Sequence, residues 1–387
     1  MPGDPKQPTP RRVLIVAGEA SGDLHGAGLI KEMRKIHPDI EFCGIGGNCM
    51  RDEGVRLLAH ASDMAIIGFK EIVPKLGFLR NISRRIKDLL RTWKPDLVVL
   101  IDYPDFNLNV VARAAKKSGV PIFYYISPQV WAWRKGRIRQ IKKRVDRMAV
   151  ILPFEVDVYA EKGFHVDFVG HPLLDLIKTR LSPSEARREL GLDESKPTIG
   201  LLPGSRAAEI QKLLGDMLDA ARIILEEMPD AQFVLPLAST LDERSVKERI
   251  AAADLPITVV SGKTYDTIAC MDLAIATSGT VTLETGLMGV PTVIIYKVSR
   301  IEYWSLRFIV AVRHIGLCNL IAGKTIMPEL IQEDACGPVI AKEALAILQN
   351  EEKKRSIKAE LSRIRESLGS PGAAARAAAI AWNLIKG

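Results

Sequence analysis

Short apolar runs recur along the chain, separated by stretches whose apolar residues return every three or four positions. Residues 13–17, 97–101, 122–126 and 149–151 are apolar throughout. Such runs read as strands buried on both faces, the pattern of a parallel sheet. Between them, residues 24–36 and 106–117 carry helical spacing. The alternation resumes further on, with strand-like runs at 198–202, 232–235, 257–260, 273–276 and 292–296. Strand and helix alternating over this length predict an α/β protein, with helices on both faces of parallel sheets. Residues 181–197 begin near Pro183, end at Pro197 and hold a charged helix between, which makes them the best domain boundary. Two doubly wound domains are expected, over 11–180 and 181–370, facing each other across a cleft. The first ten residues, polar and Pro-rich, read as a disordered extension.

In doubly wound sheets ligands lie beyond the carboxyl ends of the strands. Four loops at such ends carry candidate chemistry. Gly18 to Gly26 (GEASGDLHG) follows the first strand. It is small and Gly-rich but does not match GxGxxG, so a dinucleotide fingerprint is not supported. Glu19, Ser21 and Asp23 are suited to binding hydroxyls, although Ser21 and Asp23 equally suit capping the helix that follows. IDYPDFN at 101–107 ends a fully apolar strand. Asp102 there is the candidate general base, with His25 as an alternative, while Asp105 has an easier role as a helix cap.

LPGSR at 202–206 follows the first strand of the second half. Gly204 allows a tight turn, Ser205 supplies a hydroxyl and an N–H, and Arg206 can fork onto phosphate oxygens. GxxxxGK[ST] is absent, which disfavours ATP hydrolysis. SGTVTLE at 278–284 puts Ser278, Gly279 and Thr280 at a helix start, suited to an anion. Glu284 is placed to accept from ribose hydroxyls. Together the two loops make a nucleotide-diphosphate site. Asn319 and Glu329 are weaker candidates for holding a sugar, with helix capping as the alternative. GHP at 170–172 reads as structural, and the VWAWR cluster at 130–134 is undecided between core and sugar contact. No Asp-x-Asp occurs. That pair commonly holds a divalent metal with a nucleotide sugar, so metal-free chemistry without a cofactor is expected.

Charge adds a surface to this picture. The 387 residues carry a net charge of +8. Residues 80–94 are net +5 and residues 134–147 net +7, so the remainder is net −4. Both basic segments are amphipathic, with Ile82, Ile86, Leu89, Leu90 and Trp93 on one face of the first and Ile138, Ile141, Val145 and Met148 on one face of the second. Solvated helices explain them, as does a basic surface meeting an anionic membrane or a nucleic acid. The neighbouring stretch 64–79, apolar but broken by Gly68, Pro74 and Gly77, favours a surface that dips into a bilayer, with a buried core segment as the competitor. No apolar run approaches the roughly 20 residues of a spanning helix. The polar start is no secretory signal. Five cysteines without a CxxC argue against a disulfide framework or a zinc site.

GEASGD, IDYPDFN, SPQVWAWR at 127–134, LPFE at 152–155, VGHP at 169–172, LPGSR and SGTVTLE occur in this order. The set resembles the bacterial lipid-A-disaccharide synthases, from about residue 11 to the C-terminus. That resemblance implies a GT-B glycosyltransferase with two Rossmann-like domains, and a helix within 371–387 crossing back onto the first. It implies transfer of 2,3-diacylglucosamine from UDP-2,3-diacylglucosamine to 2,3-diacylglucosamine 1-phosphate (lipid X), with inversion, at the cytoplasmic face of the inner membrane. Asp102 would deprotonate the acceptor 6-hydroxyl, the 19–23 loop would position the acceptor, and Arg206 with the 278–280 helix start would stabilise the departing diphosphate. The resemblance implies peripheral contact with anionic lipid, no nucleic-acid partner, and leaves an oligomer open. Rival readings are another UDP-sugar enzyme, of the peptidoglycan GlcNAc transferase or UDP-GlcNAc 2-epimerase type, and a basic nucleic-acid-binding protein. The second-half motifs discriminate poorly among the sugar enzymes; GEASGD and SPQVWAW discriminate better.

Overall fold

A computed structural model of the chain describes residues 10–64, 72–132, 136–238, 241–298 and 313–386. The first nine residues of the expected extension, residues 65–71 of the apolar stretch, and Trp133 and Arg134 of the aromatic cluster lie outside the described residues. The chain divides into two compact units, residues 1–172 with 368–387, and residues 173–367.

The first unit is built on a seven-stranded parallel sheet. Its strands are β1 (Arg12–Ala17), β2 (Glu41–Gly46), β3 (Arg56–His60), β4 (Leu97–Ile101), β5 (Ile122–Tyr125), β6 (Arg147–Val150) and β7 (Asp167–Phe168). They lie in the order β3-β2-β1-β4-β5-β6-β7. The apolar runs are explained by two-sided burial. Leu14, Val16, Val98 and Leu100 face one layer with Ile82, Ile86 and Val111. Val13, Ile15, Leu97, Val99 and Ile101 face the other with Leu29, Ile30 and Met33. Helix Ala373–Lys386 belongs to this second layer, contributing Ala377, Ala378 and Ala381. These small residues let it lie close to helix Ala20–Ile36.

The second unit holds a six-stranded parallel sheet. Its strands are β8 (Thr198–Leu202), β9 (Gln232–Leu237), β10 (Ile257–Ser261), β11 (Leu273–Thr277), β12 (Thr292–Tyr296) and β13 (Glu329–Ile331), in the order β10-β9-β8-β11-β12-β13. Both sheets therefore follow the doubly wound order in which the first strand sits centrally and the chain reverses direction beside it.

Strands β2, β3, β7 and β13 escape a search for apolar runs, β7 being only the two residues Asp167–Phe168. Gly44 and Gly46 interrupt β2, Arg56 and His60 bound β3, and β13 has three residues. The first crossing between units falls at Pro172/Leu173, earlier than the 180/181 boundary the sequence suggested. The buried carboxylate of Asp266 explains this, since it accepts from the backbone N–H groups of Arg180 and Leu181 and ties that segment to the second unit.

Both basic helices turn their apolar faces inward. In helix Ile72–Thr92, Ile82, Ile86, Leu89 and Leu90 are buried, and Phe78 and Leu79 pack against the same cluster. In helix Arg137–Arg144, Ile138 and Ile141 are buried. Arg137 is buried with them, so one residue of the expected solvated face is part of the interior. No helix among the described residues is long and apolar enough to cross a membrane.

Candidate active site

The four motif loops fall at two topologically equivalent places. In the first sheet the strand order reverses between β1 and β4, where Ala17 pairs with Ile101. The next residues, Gly18 and Asp102, leave the sheet side by side. In the second sheet the reversal lies between β8 and β11, where Leu202 pairs with Ala276. LPGSR and TSGT leave from there. A switch point opens a crevice because the two outgoing chains turn to opposite faces of the sheet.

Asp102 is held by an unusual backbone. Asp102 and Tyr103 have φ of +41° and +47°, consecutive left-handed residues without a glycine. Each costs about 1–3 kcal/mol and persists only where surroundings enforce it. Three contacts do so. The Asp102 carbonyl accepts from buried Asn107 Nδ2 at 2.7 Å and from the Tyr124 hydroxyl at 2.6 Å. The Tyr103 hydroxyl donates to the Met64 carbonyl at 2.9 Å. Past the loop, Asn107–Ala112 is wound as a π-helix, a form that recurs near functional sites. A Cβ on Gly18 would overlap the Tyr103 ring, so glycine at 18 lets the two loops approach.

Burial pushes the Asp102 carboxyl up to about 6, and the negative charge of Glu19 adds to the rise. The Tyr103 backbone N–H and the positive charge of Arg137 oppose it. A carboxylate with a pKa near 6 remains ionised at neutral pH and is a better proton acceptor than an exposed one.

The GEASGD loop contributes unequally. Glu19 and Ser21 are exposed at the start of helix Ala20–Ile36 and open to a ligand. Asp23 is not. Its buried carboxylate accepts from the backbone N–H groups of Gly47, Cys49 and Met50 at 2.6, 2.9 and 3.0 Å. It caps helix Asn48–Asp52, neither binding a hydroxyl nor capping its own helix. His25 is driven down to about 4 by burial, and His171 to about 3 by burial and by His25. Both are neutral rings at pH 7, and His25 is a far weaker base than Asp102. His171 also donates its backbone N–H to the Leu368 carbonyl, consistent with a structural role.

The described part of the aromatic cluster is tied to LPFE. Trp131 donates its indole N–H to Glu155 at 3.2 Å and meets Phe154 edge-on. Glu155 also accepts from the N–H groups of Ile151 and Leu152. Burial lifts this carboxyl to about 7, against the pull of those donors. Trp131 thus stands half-buried beside the carboxyl end of β5, oriented by a buried acid.

In the second unit, Gly204 has φ +109°, and a Cβ there would overlap the carboxylate of Glu209. That carboxylate accepts from the N–H groups of Ser205 and Arg206 at 3.0 and 3.2 Å and from Arg206 Nη1 at 3.3 Å. It thereby satisfies the backbone N–H at the N-cap of helix Ala207–Glu227. The Ser205 N–H, expected to meet a diphosphate, is therefore engaged by Glu209. The Arg206 guanidinium stays 75% exposed and is the group presented outward.

Opposite this loop, Gly279 and Thr280 are exposed at the start of helix Thr280–Leu287, with open space beside Gly279. The Ser278 hydroxyl donates to the Ile315 carbonyl at 3.0 Å. Glu284, half-buried, accepts from the Tyr265 hydroxyl at 3.0 Å, and burial raises its pKa.

Asn319 and Glu329 are committed within the protein. Asn319 is fully buried, accepts from the N–H groups of Ile326 and Met327, and donates to the Met327 carbonyl and to Glu329. Glu329 accepts from the N–H groups of Ile315 and Gly316, just ahead of helix Leu317–Ala322. The capping alternative describes Glu329, while Asn319 ties residues 326–327 to its own helix; neither side chain is presented outward as a sugar contact would be. Since Ser278 also reaches Ile315, this pair shapes the wall of the crevice without lining it.

Three residues were not legible as parts of a site. Glu209 lies three positions past Arg206, but an arginine at the N-cap is not the Ser or Thr of a capping-box pattern, so no local signal marks it. Glu155 sits in a motif but looks exposed in sequence. Arg137 was one cation in a basic run; it forms an ion pair with Asp105. Among the described residues no cluster of three or more His, Cys, Asp or Glu side chains is arranged to hold a metal ion.

Comparisons with known proteins bear on the family and the fold. A family model described as "Lipid-A-disaccharide synthetase" matches residues 13–382. The chain is 54% identical to the lipid-A-disaccharide synthase of Syntrophus aciditrophicus, over 97% of this chain and 98% of that one. It is 46% identical to that of Geobacter metallireducens, over 97% of each. Among solved structures, a glycosyltransferase from Rickettsia africae superposes with a TM-score of 0.59 at 14% identity, covering 98% of this chain and 99% of that one. The UDP-GlcNAc 2-epimerase of Neisseria meningitidis, bound to UDP-GlcNAc, gives 0.56 at 13% identity, covering 92% and 99%. At those identities the structural likeness speaks for the GT-B fold alone.

Proposed function

The chain belongs to the lipid-A-disaccharide synthetase family and is a glycosyltransferase of lipid A biosynthesis, and we propose that its first unit activates the acceptor while its second holds the UDP-sugar donor. The observation that carries this reading is Asp102, a carboxylate fixed by its own backbone at the switch point of the first sheet, with its pKa raised to about 6. In the proposed reaction the 6-hydroxyl of 2,3-diacylglucosamine 1-phosphate gives its proton to Asp102. Its oxygen attacks the anomeric carbon of UDP-2,3-diacylglucosamine from the face opposite the diphosphate. A β-1′,6 bond forms, the anomeric C–O bond to the diphosphate breaks, and UDP leaves with the bond electrons. Glu19 and Ser21 are the acceptor contacts of the first loop.

In the second unit, negative charge growing on the departing β-phosphate meets the exposed Arg206 guanidinium and the N–H groups at the Gly279–Thr280 helix start. The Ser205 hydroxyl belongs to the same cradle, and Glu284 is the ribose acceptor. The chemistry asks nothing of a metal, because the guanidinium and helix start supply the positive charge. Peripheral contact with an anionic membrane through the basic helices belongs to the same proposal, since both substrates carry acyl chains.

The test is direct. Purified protein is incubated with both substrates in EDTA, and products are read by mass spectrometry. A disaccharide 1-phosphate plus UDP is expected. Product appearing only with added Mg²⁺ would refute the metal-free step, and no product under either condition would refute the substrate assignment.

A further inference from the structure

Among the described residues Arg137 is the only buried Lys or Arg. Burying a guanidinium is costly unless an anion accompanies it. The anion here is Asp105, whose carboxylate is bonded to Arg137 Nη2. The pair is lopsided: the Arg137 side chain is 8% exposed and the Asp105 side chain 64%. The cation is thus fixed inside, and its partner stands on the solvent side, where another anion can replace it.

The position matters. Asp105 lies three residues beyond Asp102 in the same strand-end loop. The charge of Arg137 is felt at Asp102 and at Tyr124, whose hydroxyl holds the Asp102 carbonyl. One buried cation therefore serves the ground between the general base and the solvent-facing carboxylate.

An acceptor presenting its 6-hydroxyl to Asp102 carries a phosphate monoester on its anomeric carbon. That carbon and the carbon bearing the hydroxymethyl group both bond the ring oxygen, so the two groups lie along one edge of the sugar. Resting on the reaction proposed above, we propose that Arg137 binds the anomeric phosphate of the acceptor, taking it in exchange for the carboxylate of Asp105. A planar guanidinium matches a phosphate through paired N–H donors, and a phosphate outcompetes a single carboxylate in charge. A neutral sugar leaves the Arg137–Asp105 pair intact and gains nothing from it, so the exchange selects phosphorylated acceptors.

Steady-state kinetics with two acceptors tests this, using 2,3-diacylglucosamine 1-phosphate and its unphosphorylated counterpart with the same UDP-sugar donor. The wild-type protein is expected to prefer the phosphorylated acceptor by roughly 10- to 100-fold in kcat/KM, the range of a charge-assisted hydrogen-bond pair. Arg137→Ala is expected to bring the two acceptors within about 3-fold of each other. Undiminished preference in folded Arg137→Ala overturns the proposal. Because Arg137 is buried, the exposed partner supplies a second variant that spares the fold. Asp105→Asn removes the competing carboxylate and is expected to lower KM for the phosphorylated acceptor while leaving the other unchanged. A raised KM for the phosphorylated acceptor alone in Asp105→Asn also overturns it. If the wild-type protein transfers sugar to neither acceptor, the reaction assigned above fails, and this proposal with it; transfer to both at equal efficiency overturns the phosphate site alone.

Discussion

The buried hydroxyl of Tyr124 donates to the carbonyl oxygen of Asp102 at 2.6 Å. The bond joins the end of β4 to the neighbouring strand β5 and helps hold two left-handed residues in place. Tyr124→Phe removes it while keeping the ring and the bond from Asn107 Nδ2 to the Asp102 carbonyl. A single neutral hydrogen bond is worth about 0.5–1.5 kcal/mol. We expect kcat to fall roughly 3- to 10-fold with little change in either KM, measured by steady-state kinetics beside circular dichroism.

Asp102 itself should be indispensable. Asp102→Ala is expected to cost about 100-fold or more in kcat, the usual worth of a general base. In the wild-type protein kcat/KM should fall as pH drops below about 6, following protonation of this carboxylate. A limb near pH 4 would point to His25, whose pKa is driven down to about 4.

The same shift has a consequence for stability. The folded protein holds the Asp102 proton more tightly than the unfolded chain, so this residue's contribution is most favourable with the proton bound. It worsens as pH rises from about 4 to about 6 and stays unfavourable above. Asp102→Asn removes that penalty. Its melting temperature is expected to exceed that of the wild type at pH 7.5, the gap closing toward pH 4. Calorimetry across that range checks both the sign and the window.

Glu209 and Gly204 act as one device in the donor loop. Glu209→Gln weakens the carboxylate that fixes the Ser205 and Arg206 backbone and the Arg206 side chain. Losing one charge-assisted contact should raise KM for the UDP-sugar by roughly 10-fold and leave the acceptor KM unchanged. Gly204→Ala forces a Cβ into that carboxylate at a φ that L residues avoid, and its donor KM should rise at least as much. Titration of UDP by calorimetry separates this from any effect on the first unit.

Asn319 and Glu329 should behave as builders of the loop. Replacing either by Ala leaves buried backbone groups without partners, at a cost of about 2–4 kcal/mol. Chemical denaturation should show the loss clearly, and the folded fraction should retain its UDP affinity within a few-fold. A large loss of UDP affinity with unchanged stability would restore them as ligand contacts.

By itself the sequence determined the class of fold and the place of the chemistry. Runs such as Val13 to Ala17 and Leu97 to Ile101 are apolar at every position because both faces of a central parallel strand are buried. That requirement is local and one-dimensional, so it shows in the chain. Loops such as LPGSR and SGT follow the strands directly, so their position at a carboxyl end is equally legible. Tertiary structure decided which side chains remain available to a ligand. Asp23 and Asp102 are both acids following apolar strands. Asp23 is satisfied by N–H groups 24 to 27 residues away, whereas Asp102 is lifted by burial to about 6 with the Tyr103 N–H opposing the rise. Asn319 and Glu329 meet each other across ten residues. Arg137 looks like its neighbours in a basic helix until packing buries it beside Asp105. A side chain's hydrogen-bonding capacity belongs to its residue type, but its partners belong to whichever segments the fold brings within 3 Å or so, and no local pattern records that choice.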